Sequence, residues 1–83
     1  MFKLKKIIDI RGRDKYNINH ISGAINIEAI ELLSNPSRYL NFNDIYYLYC
    51  DFGHTSSMVV NKLNRLGYNT VNIEGGFNNY MLR

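Results

Sequence analysis

Short apolar runs alternate along this chain with polar, turn-rich stretches. Ile7-Ile8-Asp9-Ile10 is nearly continuous, the pattern of a strand buried on both faces of a parallel sheet. Arg11-Gly12-Arg13 breaks it, and Asp14 is placed to cap a short helical turn through Tyr16 that the polar Asn17-Ile18-Asn19 does not prolong. His20 to Ile27 reads as a turn followed by a second short strand, with Gly23 supplying backbone freedom. Glu28 to Leu33 carries apolar residues at positions 29, 30, 32 and 33, which predicts a short amphipathic helix stopped by Asn35-Pro36-Ser37. Arg38 to Asn43 is expected to be a connector whose Tyr39, Leu40 and Phe42 lie over the core. Ile45 to Tyr49 is uninterrupted and β-prone, and it should lie centrally.

From a start near Thr55 or Ser56, Val59, Leu63 and Leu66 fall at helical spacing opposite Asn61, Lys62, Asn64 and Arg65, and Gly67 follows as a C-terminal cap. Tyr68 to Ile73 predicts another strand. Glu74-Gly75-Gly76 predicts a turn where backbone passes something closely. Phe77 to Arg83 is a last helical turn or two whose Phe77, Tyr80 and Met81 can dock on the sheet. Strands alternating with helices imply an α/β fold, a parallel sheet with helices on both faces and a ligand crevice at the carboxyl ends of its strands.

Length makes this one domain, residues 1–83, able to bury roughly 60 to 65% of its unfolded surface. With 46% hydrophobic and 20% charged residues the chain is globular rather than disordered. No apolar run approaches the roughly 20 residues of a membrane span, and the N-terminus enters a strand-like segment without a cleavage region, so a cytoplasmic protein with no membrane partner is expected. The net charge of +3, crowded into Lys3, Lys5, Lys6, Arg11, Arg13 and Lys15, reads as a solvated basic face; no aromatic-basic alternation or docking motif points to nucleic acid.

Within this frame Tyr47-Leu48-Tyr49-Cys50-Asp51-Phe52-Gly53-His54-Thr55-Ser56 places the single cysteine where a strand, a loop and a helix N-terminus meet. A loop of that kind can turn successive N–H groups inward, and the following helix adds the positive end of its dipole. A thiol held there should be acidic and nucleophilic. Taken alone, the stretch fits an inert thiol equally well, because free cysteine is commonly buried as a small hydrophobe. One cysteine forms no internal disulfide, and the two histidines supply no zinc set with it, so no metal is expected. His20 reads first as a residue that pins a loop by one hydrogen bond, and only second as a base or ligand. Asp9 within an apolar run must be paired with backbone or with a basic neighbour.

Four separated blocks together resemble the rhodanese-like domain family over nearly the whole chain. They are Ile8-Asp9-Ile10-Arg11, then His20 to Ile27, then Tyr49-Cys50 with Gly53 and Ser56, then Gly67-Tyr68 leading through Val71 to Glu74-Gly75-Gly76-Phe77. The resemblance implies a single-domain sulfurtransferase in which Cys50 takes a sulfane sulfur from thiosulfate or another persulfide donor and passes it to a thiol or cyanide. No cofactor is implied, because the sulfur is carried covalently. Asp51, Phe52, Gly53, His54, Thr55 and Ser56 are implied as the substrate-binding loop, and the amides from Asp51 to Ser56 as the cradle for anionic sulfur. Asp9 and Arg11 are implied to brace that loop.

A loop running from Cys50 to Thr55 matches the sulfurtransferase branch. Phosphatase-like and arsenate-reducing relatives carry a longer loop, and cysteine phosphatases generally place an arginine where this chain has Ser56. Other positions depart from the pattern. Thiosulfate-using members often have a basic residue after the cysteine, whereas Asp51 would repel a dianion if it pointed inward. His54, if protonated, would offset Asp51; an exposed histidine with no role fits equally well. Tyr80 stands for the usual tryptophan. The strand and helix that most members carry before the Asp-x-Arg strand are largely missing, so an N-terminally truncated sheet of four strands is expected, or five if Phe2 to Lys5 contributes. That exposes an edge or face which a homodimer, or a partner protein of a sulfur relay, would cover. The competing reading is a non-catalytic binding or regulatory module that keeps the fold and docks to a partner.

Overall fold

Ile45–Tyr49 is the strand on which the sheet is laid, and in the computed structural model, which describes residues 6–82, it has a parallel neighbour on each side. In chain order the elements are β1 (Lys6–Asp9), α1 (Arg13–Ile18), β2 (Ile25–Asn26), α2 (Ala29–Ser34), α3 (Pro36–Tyr39), β3 (Ile45–Tyr49), α4 (His54–Arg65), β4 (Asn69–Asn72) and α5 (Gly76–Met81). The four strands lie in the order β2-β1-β3-β4, every pair parallel. This is the four-stranded α/β sheet expected. The fifth strand allowed at Phe2 to Lys5 falls outside the described residues.

Register assigns the faces. Ile8 pairs with Leu48 and Leu48 with Asn72, so these three side chains share one face, whereas Asp9 and Tyr49 pair on the other. The first face holds the core: Ile8, Tyr46 and Leu48 pack with Leu32 of α2 and with Val59, Val60 and Leu63 of α4. The second face is closed at its carboxyl end, where Asp9 and Tyr49 are fully buried, and open at the other, where Ile45 and Val71 are 53% and 43% exposed. Helices α1 and α5 reach only the closed end: the Ile21 N–H after α1 donates to the Tyr49 hydroxyl (3.0 Å), and Phe77 of α5 stacks on the Tyr49 ring.

Several local expectations need correction. Asp14 does not cap α1. That helix starts after Gly12, and the Glu28 carboxylate takes the Arg13 N–H at 2.8 Å from across the chain. Pro36 both stops α2 and opens α3, because a proline at the first helical position sacrifices no hydrogen bond; the connector expected at 38 to 43 therefore begins as a helical turn. Leu66 is 58% exposed, and α4 turns Val60 inward beside Val59 and Leu63 instead. Phe42 is mostly exposed but stacks on Tyr68. Of the three residues expected to dock from α5, Phe77 does so, while Tyr80 and Met81 remain exposed.

The close passage predicted at Gly75-Gly76 lies against the cysteine loop. Gly76 has φ +60, and a Cβ there would strike the Cys50 carbonyl oxygen and lie 2.8 Å from that of Asp51. Gly23 also has positive φ, at +86, but faces open space. Gly76→Ala should therefore cost about 3 to 5 kcal/mol, by strain plus overlap, against about 1 kcal/mol for Gly23→Ala. Urea denaturation of the two variants beside the native chain measures the difference.

Candidate active site

Cys50 follows β3 directly and is 8% exposed. Two backbone donors point at its sulfur, the Gly53 N–H at 3.2 Å and the Ser56 N–H at 3.3 Å, and the Ser56 hydroxyl oxygen lies 3.3 Å from it. Gly53 makes this possible. Its φ of +99 turns the chain sharply into α4, which begins at His54, next to the start near Thr55 or Ser56 that the apolar spacing suggested. The sulfur thus lies at the floor of the loop and within the first turn of a helix of 12 residues. Burial alone would raise the thiol pKa, but the Ser56 hydroxyl and the N–H groups of Ser56, Gly53 and Phe52 outweigh it, and the net shift is downward.

The other loop residues are placed as follows. Phe52, His54 and Thr55 are exposed on the rim. Asp51 turns away from the sulfur toward the basic segment after β1: its carboxylate meets the Lys15 ammonium at 2.6 Å and the Arg11 guanidinium at 3.6 Å. A cleft of about 290 Å³ lined by Phe52, Gly53, His54, Ser57, Asn72, Glu74 and Gly75 opens beside the rim.

Beneath the loop is a buried ionic knot. Asp9 accepts from the Arg11 backbone N–H (2.9 Å) and from its guanidinium (2.7 Å at the shortest), and the Tyr49 hydroxyl donates to the same carboxylate at 2.7 Å. Arg11 further donates to the Asn19 carbonyl (2.7 Å) and lies 4.0 Å above the Phe77 ring. Burial and the Asp9 bond push the Tyr49 phenol well above its ordinary pKa. Asp9 and Arg11 thus join β1, α1, β3 and α5 directly under Asp51. His20 places Nδ1 2.9 Å from the Tyr16 carbonyl and stacks on that ring, which is the loop-pinning role.

Two residues at the site were not singled out from the sequence. Lys15 was counted only within the basic cluster, and Asn72 only as part of a strand. Asn72 Oδ1 is 2.5 Å from Ser56 Oγ, and its amide nitrogen is 3.4 Å from the Gly53 carbonyl. A polar residue inside an otherwise β-prone run was the available signal for it. Among the described residues, no group of histidine, cysteine and acidic side chains is arranged to hold a metal ion. No helix there is long and apolar enough to cross a membrane.

Comparison with known proteins agrees with this geometry. Residues 1–83 match the rhodanese-like domain. Thiosulfate sulfurtransferase PspE of Escherichia coli is 31% identical over 77 residues, which are 92% of this chain and 74% of that one. The adenylyltransferase and sulfurtransferase uba4 of Ogataea parapolymorpha is 31% identical over 71 residues; they cover 84% of this chain but only 18% of the relative's length. Among solved structures, SSP1007 from Staphylococcus saprophyticus superposes with a TM-score of 0.86 at 31% identity, covering 96% of this chain and 79% of that one.

Two outcomes follow from the geometry. Arg11→Met removes the partner of a buried carboxylate and should destabilise the fold by about 3 to 5 kcal/mol, against about 1 to 3 for Tyr49→Phe, which leaves that ion pair in place. Urea denaturation checks both. Because the Cys50 pKa is lowered, its thiolate exists at lower pH than that of an ordinary thiol, so the midpoint of its alkylation by iodoacetamide should lie below that of the same thiol in the urea-unfolded chain.

Proposed function

Because the chain belongs to the rhodanese-like domain family, we propose that it is a sulfurtransferase that carries sulfane sulfur as a persulfide on Cys50. The observation that carries this reading is the convergence of the Gly53 and Ser56 N–H groups on one sulfur, with the Ser56 hydroxyl beside it. Donors so placed stabilise negative charge before any substrate arrives. The Cys50 thiolate attacks the transferable sulfur of the donor, and the bond that held it, S–S in thiosulfate or a persulfide and C–S in mercaptopyruvate, breaks with its electron pair leaving on the donor fragment, sulfite where the donor is thiosulfate. The persulfide then holds one negative charge on its outer sulfur. An acceptor thiolate attacks that sulfur, the bond to Sγ breaks, and the Cys50 thiolate returns.

In this reading the exposed Phe52, His54 and Thr55 contact donor or acceptor. Asp51 does not repel an anionic donor, because its carboxylate is directed at Lys15 and Arg11. That supports thiosulfate as a usable donor, in line with the name of the Escherichia coli relative. A thiol, small or on a partner protein of a sulfur relay, is the acceptor. The second reading, a docking module without transfer, is favoured by the exposed Ile45 and Val71 on the open half of the sheet.

Intact-mass measurement separates the two. Incubation with thiosulfate, mercaptopyruvate, glutathione persulfide or a cysteine desulfurase with cysteine should add one sulfur atom to the native chain and none to Cys50→Ser. No adduct from any of the four would leave only the docking module.

A further inference from the structure

Ser56 has one hydroxyl proton and two neighbours that can take it. Its Oγ lies 3.3 Å from Cys50 Sγ and 2.5 Å from Asn72 Oδ1. The Asn72 side chain is oriented by its other end, where the amide nitrogen faces the Gly53 carbonyl at 3.4 Å, so its oxygen is the atom offered to Ser56. Sheet register holds it there. Asn72 pairs with Leu48, two residues before Cys50 on the same face of β3.

While Cys50 is a neutral thiol, all the hydrogen bonds run one way: S–H to Ser56 Oγ, Ser56 O–H to Asn72 Oδ1, Asn72 N–H to the Gly53 carbonyl. Ionisation removes the first proton. The Ser56 hydroxyl must then leave Asn72 to serve the thiolate, or stay and present a lone pair to it. The downward pull of that hydroxyl on the thiol pKa exists only in the first arrangement. When a second sulfur is attached, the charge moves to the outer atom, the inner sulfur needs no donor, and the hydroxyl can return to Asn72.

We propose that Asn72 is a positioning residue that competes with the Cys50 sulfur for the Ser56 hydroxyl proton, restraining thiolate formation in the empty enzyme and taking the hydroxyl back once sulfur is loaded. The role rests on Cys50 being the reacting thiol. The other titratable groups around the sulfur are Asp51, tied to Lys15 and Arg11 on the β1–α1 side, His54 in the first turn of α4, and Glu74 in the turn before α5. None of them is altered in the test.

The test is the pH profile of iodoacetamide alkylation of Cys50, which reads ionisation without requiring sulfur transfer. Asn72→Leu, which has no acceptor, should shift the profile to lower pH and raise the rate about fivefold at a pH well below the native midpoint. Ser56→Ala should shift it to higher pH, and adding Asn72→Leu to Ser56→Ala should change nothing further. An unchanged or upward-shifted profile for Asn72→Leu, or the same acceleration with and without Ser56, overturns the role. If the leucine variant does not fold, Asn72→Asp serves. Its carboxylate grips the hydroxyl more strongly and shifts the profile upward, and the part of that shift due to Ser56 must vanish beside Ser56→Ala. An intact-mass assay on the native chain runs alongside, so that loss of the sulfurtransferase reading is distinguishable from loss of this one.

Discussion

The cysteine loop is held open by an interaction on its outer side. The Phe77 N–H donates to the Cys50 carbonyl at 2.8 Å and the Asn78 N–H to the Asp51 carbonyl at 2.9 Å, both from the first turn of α5. Peptide groups are planar and trans, so a carbonyl fixed outward fixes the N–H of the next residue in the opposite direction. Anchoring those two carbonyls turns the Asp51 and Phe52 amides toward the interior of the loop, and Phe52 is among the groups that lower the thiol pKa. Only a residue without a Cβ can bring the α5 backbone that near, and Gly76 fills this position. The anion site is therefore made by two elements more than 20 residues apart, with the paired glycines as the condition for their approach.

Arg11 performs the corresponding work from the other side. Its guanidinium is shared among the Asp9 carboxylate, the Asn19 carbonyl, the face of Phe77 and the edge of Asp51, so four separate segments of the chain meet on it. The pair with Asp9 adds little net stability, because desolvating both ions offsets most of their attraction. Its value lies in the asymmetry: breaking the pair strands a buried charge, which makes any displacement of the loop relative to β1 costly. Rigidity beneath the sulfur follows from a pair that contributes little by itself.

Much of this was legible in the sequence because it is local. The β-prone run at 45 to 49, the break at Gly53, the hydroxyl that starts a helical pattern and the paired glycines each carry their meaning within a few residues. What escaped depends on register and long-range pairing. Asn72 meets Ser56 only because β4 pairs in parallel with β3 at Leu48, and nothing within a few residues of Asn72 foretells the neighbour it will have. Lys15 meets Asp51 across 36 positions. Pro36 was read correctly as a stop, but its equal fitness as a helix start was missed, since one fixed φ serves both. Asp14 looked like a cap because its side chain suits the role, yet Glu28 from another element took the amide.

The charge pattern at the site now has a single physical reading. Toward the sulfur the protein presents dipoles: amide N–H groups, a hydroxyl and a helix N-terminus. Formal charges sit outside the loop in a cluster where Asp51 is flanked by Arg11 and Lys15. Dipoles suit the persulfide chemistry proposed for Cys50, because they stabilise one negative charge without gripping an anion bidentately as a guanidinium fork would. Lys15 is 60% exposed, so its pair with Asp51 is screened and readily exchanged, whereas Arg11 is held. Added salt therefore loosens the Lys15 pair while leaving the knot under the loop in place.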